Sequence, residues 1–437
     1  MQKIPQIFPS VIVDRVALLL GALGEMMIQM EMKFDRPLDA DRLKQALALA
    51  LDAEPVLGCR LVEHPRRPYW ERWPEPRMNF FMADSAAEYE NFKTQKLDAG
   101  HGPQLKGCLW RDPAGDQLLL KVSHATADAG GTKDVAALVA GIYRRLAREP
   151  RFRPEPNLLG SRGIGQILRR LPWRAFPRIY WNFLKGVRRS TSPPVTLKLN
   201  WDHEPRGPLR YVCRHLLPDR VADLAAYGRA RQATLNDLLL AAIYRALARI
   251  GRWDGRATLR LMMTVDLRRY LPRQRGEAIT NLSAIEHHFL GADLGADFDS
   301  TLHKIAAGTR QRKADWWGLN DWVGLLPSLA VLPFRRMQAI YDRVLNLLVS
   351  RGTLENALTN MGPIDPGGLV FDEAPRAAWL LVPPIYPPQF GVGVTGYAGS
   401  LTLSAGVYTE AGPDSLAEKF FEAVLAELPA GATDEVS

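Results

Sequence analysis

Two runs of alternating helical and extended patterns, separated by a stretch dense in proline and arginine, organise this 437-residue sequence. The separating stretch covers residues 150–195 and has the composition of a linker that carries amphipathic helix. A chain of this length is too long for one ordinary core and suits two domains of about 200 residues each. The alternation on both sides predicts an α/β protein made of two similar α+β sandwiches, residues 1–190 and 191–437, with the boundary near 190–200.

The spacing of apolar residues predicts the elements of each half. In the first half, Arg42–Leu51 reads as a helix and Val56–Val62 as a strand. Gln104–Trp110 and Gln117–Val122 flank turn residues, which indicates a hairpin, and a helical pattern over Val135–Ala147 follows it. The second half is expected to contain helices Ala233–Ile250, Asp299–Arg312 and Pro413–Leu428 and strands Thr258–Asp266, Leu282–Leu290, Gln389–Thr395 and Ser400–Tyr408.

Cysteine usage and hydropathy limit the compartment. Three widely spaced cysteines argue against a disulfide framework or a thiolate metal site, so a reducing cytosol is expected. The N-terminus lacks the pattern of a signal peptide, and no window holds 18 uncharged apolar residues. We therefore expect a cytoplasmic protein that does not span a bilayer.

The net charge of +9 suits an anionic partner. An anionic membrane surface or a phosphorylated co-substrate would qualify. The arginines are scattered and no nucleic-acid-binding motif is present, so nucleic acid is not an expected partner.

The segment Lys121–Gly131 carries the strongest chemical signal. It begins where a strand ends, finishes where a helix begins, and consists mostly of small residues that let the backbone approach a ligand closely. Within it, His124 can accept a proton near neutral pH, and Asp128 can orient the loop by pairing with an arginine. The alternative is structural: His124 ends the strand and Asp128 caps the helix.

The pattern of Ser123, His124 and Asp128 before a glycine-led helix resembles the HHxxxDG acyltransferase superfamily. That superfamily includes peptide-synthetase condensation domains, wax-ester and diacylglycerol synthases, and alcohol acetyltransferases. Ser123 stands where the first of the paired histidines is expected, and Ala129 intervenes between Asp128 and Gly130. Further segments resemble family motifs in the same order along the chain: Glu54–Leu61, Thr234–Leu240, Val265–Arg268 with Gly276 and Asn281, Thr359–Pro363, and Tyr397–Tyr408.

The resemblance implies two chloramphenicol-acetyltransferase-like subdomains that meet in a V, with a tunnel running past His124. His124 would deprotonate a hydroxyl or amine acceptor as it attacks a thioester. The acyl donor would be acyl-CoA or an acyl-carrier protein, with CoA or phosphopantetheine as part of the co-substrate and no permanently bound cofactor. Asp128 would be structural and would pair with an arginine, for which Arg60 is the expected candidate, and Gly130 would shape the loop.

Four more residues are candidates for substrate or tunnel contacts. Ser123 belongs to the histidine loop, and Asn360 and Gly362 belong to a segment expected to be a loop near the tunnel, although an ordinary Asn-Gly-Pro turn would explain them as well. Arg268 is expected to contact a phosphate or to form a buried ion pair.

Two polar pairs have structural interpretations. Asn236 and Asp237 are expected to cap a helix, since Thr234 lies three residues before Asp237. His287 and His288 are adjacent in an expected strand and point to opposite faces, so no metal site is expected there.

The leading hypothesis is a stand-alone O-acyltransferase of lipid or secondary-metabolite biosynthesis with a hydrophobic acceptor. The alternatives are an amide-forming condensation enzyme that uses carrier-bound substrates, and a non-catalytic relative that binds a carrier protein or a lipid. The aromatic segments Trp173–Phe183 and Trp316–Phe334 either pack between the halves or form a cation-flanked surface for a lipid-like substrate. The second interpretation predicts reversible association with anionic membranes through Ile164–Arg189.

Overall fold

The computed structural model describes residues 3–74, 79–189, 207–251, 253–320, 326–387, 389–408 and 415–430. The expected domain boundary near residues 190–200 lies outside these ranges. The strands are β1 (Ile7–Pro9), β2 (Met27–Lys33), β3 (Cys59–Val62), β4 (Tyr69–Arg72), β5 (Phe80–Ala83), β6 (Leu105–Asp112), β7 (Gly115–Ser123), β8 (Leu209–Leu216), β9 (Leu259–Asp266), β10 (Ser283–Gly291), β11 (Ala357–Ile364), β12 (Ala377–Leu381), β13 (Gly391–Tyr397) and β14 (Ser400–Tyr408).

The helices alternate with these strands along the chain, which confirms the mixed α/β class. They are α1 (Ile12–Leu20), α2 (Ala40–Ala53), α3 (Ala86–Thr94), α4 (Ala129–Arg148), α5 (Gly165–Leu168), α6 (Ala175–Arg189), α7 (Pro218–Ala230), α8 (Leu235–Ile250), α9 (Phe298–Lys313), α10 (Leu326–Val331), α11 (Phe334–Ser350) and α12 (Leu416–Glu427).

A five-stranded sheet with the order β12-β2-β7-β6-β5 forms the first half. Helix α2 begins where the Asp39 side chain accepts the Arg42 N–H at 3.0 Å, and its apolar residues recur at helical spacing. Helices α2 and α4 pack against each other and against this sheet, and they bury one apolar core with it. The expected hairpin is present as β6 and β7, and β7 lies in the interior of the sheet between β2 and β6.

The second half is built on a six-stranded sheet with the order β10-β9-β11-β13-β14-β8. Helix α8 is buried over most of its length, because Leu238–Ile243 is a continuous apolar run, and the charged Arg245 further along is half-buried. It packs between α12 and α9 and shares a single core with the sheet. A small three-stranded sheet, β1-β4-β3, lies apart from both.

Strand β12 crosses the predicted division of the chain at residue 190. By sequence it belongs to the second half, yet it pairs antiparallel with β2, from Ala377 opposite Lys33 to Leu381 opposite Gln29. Phe371 and Leu380 are buried in the core of the first half. The second part of the chain therefore completes the first sheet.

Two local expectations were wrong. The segment Val56–Val62 is a strand only from Cys59, because Pro55 begins a short 3-10 turn over Pro55–Gly58. The segment Thr359–Pro363 is part of β11 rather than a loop. That strand runs parallel to β13, with a register shift between Asn360 and Pro363, where Gly362 adopts a φ of 71°.

A layer of helices covers a third apolar core beside the cleft between the two main sheets. Residues of α1, α5, α6, α10 and α11 contribute to it, including Val13, Ile167, Ile179 and Phe334. Within the described ranges, no helix combines the length and the apolar character that crossing a bilayer requires.

Candidate active site

The loop that carries His124 is fixed at both of its ends. The Ser123 carbonyl, at the end of β7, accepts the N–H groups of Thr126 at 3.0 Å and Ala127 at 3.1 Å. Helix α4 then begins at Ala129, with Asp128 as its N-cap accepting the Gly131 N–H at 2.7 Å. The structural alternative for Asp128 is thus correct, since the residue does cap the helix. The same turn holds His124 between a strand and a helix.

The shorter contact of the His124 ring favours a proton on Nδ1. Its Nδ1 lies 3.1 Å from the Ala127 carbonyl oxygen, which can only accept a hydrogen bond. The Nδ1–H tautomer satisfies this contact and leaves Nε2 with a free lone pair. The Asn281 amide nitrogen lies 3.3 Å from both Nδ1 and the carbonyl oxygen of His124, and in this tautomer it donates to the carbonyl, because a protonated Nδ1 cannot accept.

The environment keeps His124 neutral near pH 7. Burial lowers the pKa of its imidazole, and the charge of Asp128 opposes this effect without reversing it. The ring is still partly accessible from the cleft. A neutral imidazole with an unprotonated nitrogen can act as a general base.

A buried ion pair joins the histidine loop to the second half of the chain. Arg268 Nη1 donates to Asp128 Oδ2 at 2.9 Å and to Asp266 Oδ1 at 3.1 Å, while Nη2 donates to the Thr280 carbonyl at 2.8 Å. The side chains of Arg268 and Asp128 are only 5% and 4% exposed. Of the two alternatives for Arg268, the buried ion pair is therefore the one observed.

Asp128 is held as a carboxylate by its partners. Burial alone would raise its pKa, but the charge of Arg268 and the hydrogen bonds from Arg268, Gly131 and Leu282 lower it overall. The Leu282 N–H donates to Asp128 Oδ2 at 2.7 Å. The Asp128 carboxylate thus binds the second half through Oδ2 and caps helix α4 of the first half through Oδ1.

The expected pairing of Asp128 with Arg60 was wrong. Arg60 lies on β3 directly opposite Glu71 on β4, and its Nη2 donates to that carboxylate at 2.6 Å. The Arg60 side chain is 41% exposed and belongs to the small sheet. Arg60 therefore pairs with its cross-strand neighbour Glu71 in the small sheet and is not the partner of Asp128.

Two glycines at the start of α4 allow residues of the second half to approach the backbone of this helix closely. A Cβ atom at Gly130 would lie 2.6 Å from Arg268 Nη1, and one at Gly131 would lie 2.7 Å from the Thr280 carbonyl oxygen. Neither position has room for a side chain. Ala129, by contrast, occupies the first helical position, and the Thr132 N–H bonds regularly to the Asp128 carbonyl at 2.7 Å. Ala129 is therefore an ordinary first residue of helix α4. It adds no extra residue to the loop that ends at Asp128.

A cavity of about 190 Å³ lies in the cleft, and His124 forms part of its wall. Residues from both halves line it, together with α1. The polar part of the wall comes from His124, Asp128, Thr264, Asp266, Asn281, Ser283, Thr359, Asn360 and Gln389. The apolar part comes from Val13, Val16, Ala17, Leu20, Leu23, Met26, Ile28, Met262, Ile285, Ala357, Met361, Val382, Pro383 and Ile385, and Ala129 and Gly130 complete the wall.

The other tunnel candidates divide into two groups. Asn360 is in the wall, with its amide nitrogen donating to Asn236 Oδ1 at 2.9 Å. Ser123, Gly362 and Arg268 are not among the described wall residues. Ser123 is buried and its Oγ accepts the Ala125 N–H at 3.3 Å, so it organises the loop rather than contacting the cavity.

Several wall residues were not predicted from the sequence. Asn281 belongs to a sequence motif but was given no predicted role, and neither Thr264 nor Ser283 was a predicted site residue. A signal was available, because Met262, Thr264 and Asp266 alternate along β9, as Asn281, Ser283 and Ile285 do along and just before β10. One face of this pair of strands therefore faces the cavity.

The remaining polar candidates have structural partners. The capping box of Thr234 and Asp237 is confirmed at the start of α8. His287 Nδ1 lies 2.9 Å from Glu355, and His288 Nδ1 lies 2.9 Å from the Tyr244 hydroxyl. In the part of the chain that the structure describes, no group of three or more His, Cys, Asp or Glu residues is arranged to hold a metal ion.

Comparison of the fold with solved structures gives consistent neighbours at low sequence identity. The first condensation domain of the calcium-dependent antibiotic synthetase superposes with a TM-score of 0.69 at 17% identity, covering 99% of this chain and 98% of that one. The chain has the condensation-domain fold. No family model matches the sequence, and no curated protein matches it in sequence.

Two further proteins share this condensation-domain fold over nearly their whole length. Polyketide synthase associated protein 5 from Mycobacterium tuberculosis has a TM-score of 0.63 at 18% identity, covering 97% of this chain and 100% of that one. The trichothecene 15-O-acetyltransferase from Fusarium sporotrichioides has a TM-score of 0.69 at 12% identity, covering 97% and 94%. The predicted two-subdomain architecture is thus confirmed at the level of the fold.

Proposed function

We propose that this protein transfers an acyl group from a thioester to a hydroxyl or amine, with His124 as the general base. The observation that carries the proposal is the state of His124, a neutral imidazole whose Nδ1 is engaged by Ala127. Its side chain forms part of a cavity wall to which both halves contribute. A fold shared with condensation domains and an acetyltransferase agrees with this chemistry.

The proposed reaction uses His124 Nε2 twice. The nitrogen accepts the proton of the acceptor O–H or N–H while the acceptor atom forms a bond to the thioester carbonyl carbon. The negative charge collects on the carbonyl oxygen, and hydroxyl or amide groups of the wall, such as Ser283, Thr359 and Asn281, are available to donate to it. When the C–S bond breaks, the leaving thiolate takes the proton back from His124, which restores the base.

The cavity favours an apolar substrate. Aliphatic side chains of α1, including Val13, Val16 and Leu20, line one part of it, and Ile28, Val382 and Ile385 line others. Such a wall gains most from burying a hydrocarbon chain. We therefore propose a hydrophobic alcohol or amine as the acceptor, and acyl-CoA or acyl-phosphopantetheine on a carrier protein as the donor.

A substrate panel tests this proposal. The protein is incubated with acyl-CoAs of increasing chain length, or with carrier protein loaded with the same acyl groups, and with alcohol and amine acceptors. Ester or amide product is measured by intact mass. We expect product with at least one apolar acceptor, and a rate about 10²–10⁴ lower with the His124→Ala variant. An amide product on carrier-bound substrates alone would favour a condensation enzyme, and no product from any combination would favour a non-catalytic binding protein.

The pH dependence of the product-forming reaction gives a second readout. Protonated His124 cannot accept the acceptor's proton, so kcat/KM should fall as the pH drops through the pKa of the imidazole. Because burial lowers that pKa, the fall should lie below the ordinary histidine value of about 6.5. A rate that does not change in that range would speak against a histidine base.

A further inference from the structure

Helix α6 presents aromatic side chains to solvent. Trp173, just before the helix, is 74% exposed, and Phe176, Tyr180 and Trp181 are 40%, 56% and 56% exposed. Among residues 175–185 of this helix, Ala175 and Ile179 are the buried ones, and they lie in the core of the helical layer. The interpretation that these aromatic residues close the seam between the halves does not fit their exposure.

Helix α11 carries a second exposed apolar stripe. Ile340, Val344 and Leu347 are 51%, 48% and 45% exposed and recur at helical spacing, so they lie on one face. Phe334 and Met337 on the same helix are buried in the core that also holds Ile179. Both helices therefore cover one core and expose apolar residues beyond it.

Cations accompany the aromatic residues of α6. Residues 164–189 contain no Asp or Glu, and their cations are Arg169, Arg170, Arg174, Arg178, Lys185, Arg188 and Arg189. Arg178 is paired with Asp315 of a neighbouring segment. The exposed Arg174 and Lys185 lie over the rings of Trp173 and Trp181, at 5.3 and 5.4 Å from the ring centroids. A helix that combines exposed tryptophans with basic residues is typical of one lying in the interface of an anionic bilayer.

Helix α1 connects this layer to the cavity. Val13 packs in the same core as Ile179 and Phe334, and it also lines the cavity with Val16 and Leu20. The apolar wall of the cavity thus continues through α1 into the core beneath α6 and α11.

We propose that the α6–α11 surface, defined by Trp173–Lys185 and Ile340–Leu347, docks reversibly on an anionic lipid bilayer. The positive charge of α6 complements acidic headgroups, and the exposed aromatic and aliphatic side chains enter the boundary between headgroups and acyl chains. Docking there would bring a membrane-dissolved substrate to the apolar side of the cavity. That last step rests on the proposed acyltransferase function, whereas the docking itself does not.

Vesicle co-sedimentation of the full chain tests the docking. Vesicles of equal parts phosphatidylcholine and phosphatidylglycerol are compared with vesicles of phosphatidylcholine alone, at about 0.05 M and about 0.5 M salt, because screening lengths shorten over that range. We expect the protein to pellet with the mixed vesicles at low salt and to be released at high salt. No pelleting, or equal pelleting with neutral vesicles, would overturn the proposal.

Matched variants locate the surface. The triple change Arg170→Gln, Arg174→Gln and Lys185→Gln should lower partitioning by about a hundredfold, since each cation near an anionic surface contributes about fivefold. The control triple Arg148→Gln, Arg151→Gln and Arg153→Gln removes the same charge from exposed positions at and after the end of α4. It should leave most of the binding, and an equal loss in both triples would mean that only net charge matters.

Removing the apolar contribution gives an independent check. Trp173→Ser with Trp181→Ser should weaken binding by at least about tenfold, because both indoles are proposed to enter the bilayer. The main rival is that this surface is a subunit interface, which light scattering tests. A wild-type dimer that the double variant converts to a monomer, without any change in vesicle binding, would show a subunit interface. The His124→Ala variant should pellet like the wild type, so a failure of catalysis is distinguished from a failure of docking.

Discussion

The charged contact between Asp128 and Arg268 links three parts of the site at the scale of single residues. Asp128 caps α4, accepts the N–H of Leu282 beside β10, and pairs with a guanidinium that also binds the Thr280 carbonyl. His124 lies four residues before this carboxylate in the same loop. The orientation of the base therefore depends on an ion pair that joins the two halves of the chain.

Breaking this pair should destabilise the protein more than breaking a pair on the surface. Asp128→Asn leaves the Arg268 charge buried with the weaker support of Asp266, and removing one partner of such a pair costs about 3–5 kcal/mol. We expect a loss of about 3 kcal/mol, near the lower limit, because Asp266 remains 3.1 Å away. The free energy of unfolding from urea titration measures it.

The control for this change is Arg60→Gln. Arg60 pairs with Glu71 in a setting where its side chain is 41% exposed, and such pairs contribute less than about 1 kcal/mol. If Arg60→Gln were the more damaging change, the assignment of Arg268 as the structural partner of the loop would be wrong.

The sequence predicted that Asp128 needs an arginine, but it could not identify which one. Arg60 and Arg268 both lie in segments that match family motifs. The choice depends on the register of β3 with β4, which places Glu71 opposite Arg60, and on the close approach of residues 266–282 to α4. Both are tertiary facts that a single sequence does not contain.

At the scale of elements, the start of α4 positions the site. The helix begins immediately after the histidine loop, and its first turn contains two glycines that let residues 266–282 make contact with the backbone. Any side chain placed there would push the second half away from His124.

Gly131→Ala should therefore be costly although alanine favours helices. Its Cβ would lie 2.7 Å from the Thr280 carbonyl oxygen and 2.9 Å from the Ala127 Cβ, and overpacking of this kind costs about 1–3 kcal/mol. We expect a lower melting temperature and, because the loop shifts, a lower kcat. Thermal unfolding and turnover of the same preparation measure the two effects.

The matched control is Ala129→Gly, two residues earlier in the same helical turn. It places a glycine directly after Asp128, as in the superfamily that the motif resembles, but adds only backbone freedom, at about 0.5–1 kcal/mol, and should leave kcat nearly unchanged. A large gain in activity from Ala129→Gly would show instead that the alanine impairs the loop.

Helices with regularly spaced apolar residues were predicted well from the sequence. Several strands whose place depends on pairing with distant segments were not. Helices α2, α4 and α8 and the hairpin β6–β7 follow directly from apolar spacing and turn residues. Strand β2 was not predicted, although Ile28, Met30 and Met32 alternate with Gln29 and Glu31 as in a half-buried strand. Gln29 and Glu31 are both buried, and Glu31 is paired with Lys93 at 2.9 Å. Part of strand β11 was expected to be a loop, because Thr359–Pro363 resembles a loop motif of the acyltransferase superfamily.

At the scale of the whole molecule, the two halves are joined by more than a linker. Strand β12 extends the first sheet from the second half, and Arg268 of the second half binds the histidine loop of the first. The resemblance of the motifs predicted two subdomains and a histidine between them, and the fold comparison agrees with the architecture. The motifs could not predict that β12 joins the first sheet. That pairing depends on which edge strand is available in the folded protein, here β2.

The site as a whole needs this arrangement. The histidine and Asp128 come from the first half, Asn281 and Ser283 from the second, and Val13 and Leu20 from α1. The proposed function therefore requires that acyl transfer takes place in the cleft between the halves and that His124 is its base.

The turnover number of His124→Ala tests that claim most directly. It is measured with the donor and acceptor found in the substrate panel, and circular dichroism and thermal unfolding verify that the fold is kept. We expect kcat to fall by about 10²–10⁴, the contribution of a positioned general base. His101→Ala, which replaces a histidine that is 79% exposed, should retain wild-type turnover. A folded His124→Ala protein with the kcat of the wild type would contradict the account.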